Sequence, residues 1–490
     1  MRPSCVHLCL VLAWARLSIG VPAPQGGPPE NSIPPTSAAP TRSIPSTFPP
    51  HGPFTGTPTT TGALSNSPLA QSIAPLPPNP TAFDYPSNGQ LNQPQPAPFI
   101  PAGGLGTNGT EPVYNVRSDF DYQSLALALY QEWIELDLFH HGLARFSEAE
   151  FTAAGLTAED RYLIQFMAEQ EIGHVTVISN MLGAQAPQPC AYNYPFTTVR
   201  EFVDFCQKLT RFAESSVYGF LNHLDSREAA QILLQSISTE ARQQQIFRQF
   251  DGLFPMPVWF EVAIPQSWAW TLISPYISWC PANQTRLVWQ NFPGLRVLNQ
   301  PNPARINGSA GFNETIGPPG MNTLNSSNIP PQQACLNATG VTMDCGPRIT
   351  QNRTIPLSWP GRAVELEWES PGRPVGPNNS YVTSTMAGEP RFVAWVTQLN
   401  VTYSPLTILG GPGNATNATT PGGFGGNATG ATTLARGRTI QPNVASFAGD
   451  PAINGTMFVA ITDTDLFVTP FNITMLNPHV VAGPALYQAG

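Results

Sequence analysis

Charge is scarce in this chain. Only 22 Lys and Arg and 31 Asp and Glu stand among 490 residues. That is 11% of the chain, where about a quarter is usual for globular proteins. Lysine is almost missing, with Lys208 the one example. The formal net charge is −9 and no basic run interrupts it. No basic patch is there to neutralise a phosphate backbone, so nucleic acid is not an expected partner. Cysteine is sparse, seven in all, with no CxxC pair and no zinc-ligand spacing. No apolar run is long enough to span a bilayer, so no transmembrane segment is expected. The C-terminus also lacks the long apolar tail of a lipid-anchor signal.

Proline, by contrast, is abundant, with 54 in the chain and 23 of them in the 92 positions from 21 to 112. That tract carries only Glu30, Arg42, Asp84 and Glu111 as charges. It cannot bury a core and reads as a disordered or extended linker. Residues 1–20 ahead of it read as a signal peptide: Arg2, the apolar run Val6 to Ala15, then small residues at Ser18-Ile19-Gly20. Fourteen Asn-x-Ser/Thr triplets agree with secretion: Asn108, Asn283, Asn307, Asn313, Asn325, Asn337, Asn352, Asn378, Asn400, Asn414, Asn417, Asn427, Asn454 and Asn472. None falls between 113 and 282, and thirteen fall after it. The expected location is extracellular, either released or held in a cell wall. In an oxidising compartment Cys335 and Cys345 are expected to pair across a short loop, and Cys190 and Cys280 are a second candidate pair. Cys206 lies in a helical pattern and reads as a buried free thiol.

The segment 113–282 reads as four helices. The first, Asp121 to Arg145, has Leu125, Leu129, Leu136, Phe139 and Leu143 on one stripe, with Glu132 in its middle. Glu135 falls off that stripe, on a more polar side. His140 and His141, at the helix end, are expected to be exposed. The second helix runs from Ala158 to Leu182 with Thr157 as its cap. It places Glu171 and His174, three apart, on its apolar face. The third starts at Thr198 with Glu201 completing a capping box, and carries Glu214 at the edge of its apolar stripe. The fourth begins near Asp225 and carries Glu240 inward.

Helices three and four are joined by a tight turn. Fourteen residues, 184–197, separate two and three and reach ~46 Å extended, against ~38 Å for a 25-residue helix. One long crossover in a four-helix bundle is the ferritin-like connection. Glu132, Glu171, His174, Glu214 and Glu240 then supply one inward carboxylate per helix plus an imidazole. A dinuclear carboxylate site needs a Glu from each of two helices and a Glu-x-x-His from each of the other two. Only half of the second pair is here, because Gln243 stands where the second His belongs. Iron or manganese are the candidate metals, as one ion, an asymmetric pair, or none.

The segments Gln131–Phe139, Ala168–His174, Phe212–Gly219 and Glu240–Gln245 resemble the secreted fungal ferritin-like family. That family includes stress-response and late sexual-development proteins, and is similar, more distantly, to plant desiccation-related proteins. The stretch Asn454–Asp463 and the final Pro-His-Val-Val-Ala-Gly-Pro-Ala look like its fungal members too. The resemblance covers most of 113–490. It implies a ferritin-like bundle with a role in stress or development and no well-assigned reaction.

Residues 283–490 change character. Val364, Leu366 and Trp368 alternate with Glu365, Glu367 and Glu369, which is strand period. Phe392 to Tyr403 and Met457 to Thr462 are rich in β-formers, and 409–434 reads as a glycosylated loop. A β-rich glycosylated module is expected, without a Ser/His/Asp set, nucleotide loop or calcium loop. The leading functional expectation is a non-catalytic protein of the fungal cell surface or wall. The competing one is a carboxylate-bound iron or manganese protein that handles peroxide or oxygen. Wall association and a homo-oligomer are the expected partnerships.

Overall fold

The computed structural model describes residues 116–251, 255–281, 284, 286–301, 315–316, 324–325, 358–410, 434–448, 450 and 455–488. The signal-like residues 1–20, the proline tract 21–112, Cys335 and Cys345 lie outside the described residues. So do the triplets at Asn108, Asn283, Asn307, Asn313, Asn337, Asn352, Asn414, Asn417, Asn427 and Asn454.

Helices occupy the first part of the described chain: α1 Asp119–Arg145, α2 Glu148–Ala153, α3 Ala158–Leu182, α4 Val199–Phe220, α5 Arg227–Phe250 and α6 Gln266–Ile273. Side-chain caps set most of the starts. Thr157 with Asp160 and Thr198 with Glu201 form the capping boxes of α3 and α4. Ser118 caps α1, so that helix begins before the expected Asp121. Ser226 caps α5 through its hydroxyl oxygen, which accepts from the Ala229 amide, and the Asp225 and Ser226 amides both donate to the buried Asp121 carboxylate. A single α1 side chain thus pins the α4–α5 turn to the start of α1. The short α2, with its own box of Ser147 and Glu150, went unforeseen in the sequence.

α1 is buried on nearly every side, since α3, α4 and α6 all pack on it. His140 is accordingly buried, not exposed as expected, and His141 packs on the rings of Tyr194 and Phe196. The long link between α3 and α4 carries a short strand, Ala191–Tyr192, which pairs antiparallel with Ile277–Trp279. Beside it Cys190 and Cys280 form a disulfide, and Cys206 is free and buried. Gly219 lets the chain after α5 lie flat on α4: a Cβ there would sit 1.9 Å from the Ile264 carbonyl oxygen. That brings in α6, whose Trp268 and Trp270 are fully buried, while Trp259 and Trp279 remain half exposed.

The strand-rich part that follows is a sandwich of two four-stranded antiparallel sheets. One has the order Asn400–Pro405, Phe392–Thr397, Thr456–Thr462, Val480–Gln488. The other has the order Thr407–Gly410, Leu434–Ile440, Ala363–Glu369, Leu295–Val297. Val364, Leu366, Trp368, Trp395, Val459, Ile461 and Tyr487 fill the space between them. Every residue of Thr456–Thr462 is buried, and α6 packs on the neighbouring Val480–Gln488. A strand covered on both faces loses the alternation that marks a half-exposed one. In Ala363–Glu369 the alternation misleads instead. Glu367 and Glu369 are buried, paired with Arg296 and Arg436 and with Arg373 respectively. Among the described residues no helix is long and apolar enough to cross a membrane.

Candidate metal centre

Three helices converge on one buried point. α1 brings Glu132 and, one turn on, Glu135; α3 brings Glu171 and His174; α5 brings Glu240. Their ligand atoms form two overlapping groups, Glu132 with His174 and Glu240, and Glu132 with Glu135 and Glu171. Within each group the atoms lie within 4.8 Å of one another, and Glu132 belongs to both.

His174 organises the cluster. Its Nδ1 lies 3.1 Å from Glu171 Oε2, 3.2 Å from Glu132 Oε2 and 3.8 Å from Glu240 Oε1. Its Nε2 lies 3.0 Å from Thr239 Oγ1. Gln243, one turn beyond Thr239, donates its amide to Glu171 Oε1 at 2.5 Å. So α5 holds both members of the Glu-x-x-His pair: Gln243 on the carboxylate and Thr239 on the ring. Gln243 supports a ligand where a second imidazole would bind metal itself.

The carboxylates outnumber the positive charges. Burial pushes the Glu132, Glu135 and Glu240 carboxyls well above their ordinary value. Burial also opposes charge on Glu171, but the His174 charge and hydrogen bonds overcome it and hold Glu171 below the usual range. For His174 burial opposes the proton, yet Glu171 and Glu132 push its pKa up to about 12. Without metal, burial favours the neutral form of Glu132, Glu135 and Glu240, while Glu171 and His174 stabilise each other's charge. Among the described residues, Oε2 of Glu240 and the Gln243 carbonyl make no hydrogen bond. Buried polar atoms are seldom left so, and a bound ion would satisfy these.

Glu214 stands apart. It is fully buried on α4, but its Oε2 lies 3.3 Å from Arg211 Nη1, one turn back. Arg211 is held in turn by Gln244 at 3.0 Å and by Glu261. Glu214 belongs to neither group of converging ligands, which departs from the expectation of one metal-facing carboxylate on every helix. Glu135 takes its place. The stripe pattern of α1 hid it, because a helix buried all round has no polar side. The signal was the Glu132-x-x-Glu135 spacing, which puts both on one face.

Residues 118–252 match the ferritin-like domain family. Protein rds1 of the fission yeast Schizosaccharomyces pombe is 48% identical over 413 residues, 83% of this chain and 90% of rds1. The chain belongs to this fungal ferritin-like family. The ferritin-like match spans α1 to the end of α5, the segment that carries all the converging ligands. The identity to rds1 extends well beyond that segment, so the likeness is not confined to the bundle.

The donor set fits a metal ion. Four carboxylates and one imidazole, hard oxygen donors with a single nitrogen, are the ligands that suit iron(II) or manganese(II) rather than a soft-ligand metal. Glu132, His174 and Glu240 would hold an ion with mixed oxygen and nitrogen ligands, and Glu132, Glu135 and Glu171 one with oxygen alone.

Proposed function

We propose that this ferritin-like protein binds iron or manganese through Glu132, Glu135, Glu171, His174 and Glu240, outside the cell. The observation that carries the reading is the cluster of converging buried carboxylates, whose ion pairs among the described residues are all with His174. Bound iron or manganese supplies one-electron redox chemistry toward dioxygen or peroxide. The protein's own part is to hold the ion by displacing protons from Glu132, Glu135 and Glu240 and freeing Nδ1 of His174. The signal-like N-terminus and the Asn-x-Ser/Thr triplets support secretion and placement at the cell surface or wall, and the family resemblance supports a role in stress or development.

A second reading, a bundle kept as a non-catalytic scaffold, is favoured by Gln243. Its amide already serves as an internal partner for Glu171. Metal content separates the two. The secreted protein, produced with iron and manganese supplements, is expected to carry at least one metal ion per chain. A Glu171→Ala/His174→Ala variant should carry none. Metal-free wild-type protein under both supplements, with a normal fold, would leave the scaffold.

A further inference from the structure

The hydroxyl of Thr239 has two neighbours, and the role of one of them is fixed. Thr239 Oγ1 lies 2.7 Å from the Ser236 carbonyl oxygen, which can only accept. The hydroxyl proton is therefore committed to Ser236, and Oγ1 faces His174 Nε2, 3.0 Å away, with a lone pair. Nε2 must then carry a hydrogen, and the nitrogen left to meet the carboxylates is Nδ1. Nδ1 is also the atom that lies among Glu171, Glu132 and Glu240.

We propose that Thr239 is a positioning residue for the metal centre, fixing the ring of His174 so that Nδ1 is the coordinating nitrogen. The inference rests on the metal-binding reading above. A second hydrogen-bond partner on the far nitrogen is what orients a ligating imidazole, raises its basicity and fixes its tautomer. That partner is commonly a carboxylate or a backbone carbonyl. Here it is a neutral hydroxyl, oriented by its own helix at i−3. A hydroxyl adds no charge to a site already rich in carboxylates, and with its proton held by the Ser236 carbonyl it offers Nε2 only an acceptor. The arrangement also explains why the residue next to Glu240 is a short hydroxyl side chain. Its neighbour on the chain enters the cluster, while Thr239 is half buried beside the ring and reaches only the outer nitrogen.

The test uses the whole protein, freed of metal and titrated with cobalt(II), whose visible spectrum reports nitrogen ligation. Thr239→Val keeps the shape and removes the acceptor; Thr239→Ser keeps the acceptor. Cobalt affinity is expected to fall about 10- to 100-fold in Thr239→Val, the range seen for lost outer-shell partners. It should stay within about twofold of wild type in Thr239→Ser. The hydrogen bond is checked without metal by the slowly exchanging Nε2–H signal of His174, assigned by its loss in His174→Gln. That signal should persist in Thr239→Ser and vanish in Thr239→Val. Unchanged cobalt affinity or an unchanged Nε2–H signal in Thr239→Val overturns the proposal and leaves the metal reading standing. Wild-type protein that binds no cobalt removes both.

Discussion

Glu367 and Glu135 are almost equally hidden from water, 2% and 0% exposed, one in the sheet of Ala363–Glu369 and the other in α1. Glu367 meets two guanidinium groups, Arg296 on one neighbouring strand and Arg436 on the other. Those arginines and burial act against each other on its carboxyl, and the arginines win, holding it below the usual range. Glu135 meets other carboxylates, and burial drives its carboxyl the opposite way. A carboxylate that serves only the fold is expected to look like Glu367, because an ionised group buried without a partner is several kcal/mol less stable. The contrast sets a carboxylate matched by arginines against one that faces other carboxylates, within one chain and on one residue type.

The largest expected effect breaks the contrast on the helical side. Glu132 belongs to both ligand groups, so Glu132→Gln should weaken manganese(II) binding at least about 100-fold, measured by titration calorimetry, since a buried carboxamide is a far poorer ligand for a hard cation. The same variant mimics the protonated carboxyl of the metal-free centre. Its unfolding free energy without metal should therefore stay within about 1 kcal/mol of wild type. Wild-type affinity in this variant, or collapse of the metal-free fold, would mean that Glu132 is a structural residue after all.

On the sheet side the signs reverse. Glu367→Gln leaves Arg296 and Arg436 without their carboxylate. Both arginines reach water, so the loss is smaller than for a wholly buried pair, about 1–3 kcal/mol in urea unfolding. Metal binding should not change. A variant as stable as wild type would show that burial alone, with no ion pair, explains this part of the sandwich.

The bundle was legible because its information is local. Thr157 and Thr198 mark starts, the apolar stripes mark faces, and the length of 184–197 marks the crossover. Glu171 and His174 could be found because their spacing puts both on one face of one helix. What stayed hidden depends on neighbours remote in sequence. Glu135 looked polar-facing until α4 and α6 closed over α1, and Glu214, at the edge of its stripe, is buried but beside Arg211. Thr239 has no signature at all, since its role exists only when α3 lies beside α5. In the sandwich, Glu367 reads as solvent-facing by period two. Only the cross-strand register, with Arg296 and Arg436 both opposite it, makes burial affordable.

The smallest effect asks whether the contrast belongs to the region or to the site, because Glu201 is a satisfied carboxylate on the bundle itself. Its Oε2 accepts from the Thr197 amide at 2.8 Å, the Thr197 hydroxyl at 3.0 Å and the Thr198 amide at 3.2 Å. Burial opposes its charge, but those donors outweigh burial and hold the carboxyl below its ordinary value of 4.5. The folded value is below the unfolded one. The stabilisation is therefore complete above the unfolded pKa and is lost as pH falls through the folded one. Thr198→Ala should lower stability by about 1 kcal/mol at pH 7 through loss of the cap. Glu201→Gln should lower it by less, and its deficit should shrink as pH falls below the ordinary carboxylate range and through the lowered folded value. A Glu201→Gln deficit that persists undiminished in acid would mean that shape rather than charge carries this cap. If the deficit does fade, charge carries this cap as the arginines carry Glu367, and the raised carboxyl of Glu135 belongs to its place among other carboxylates, not to the helical layer as a whole.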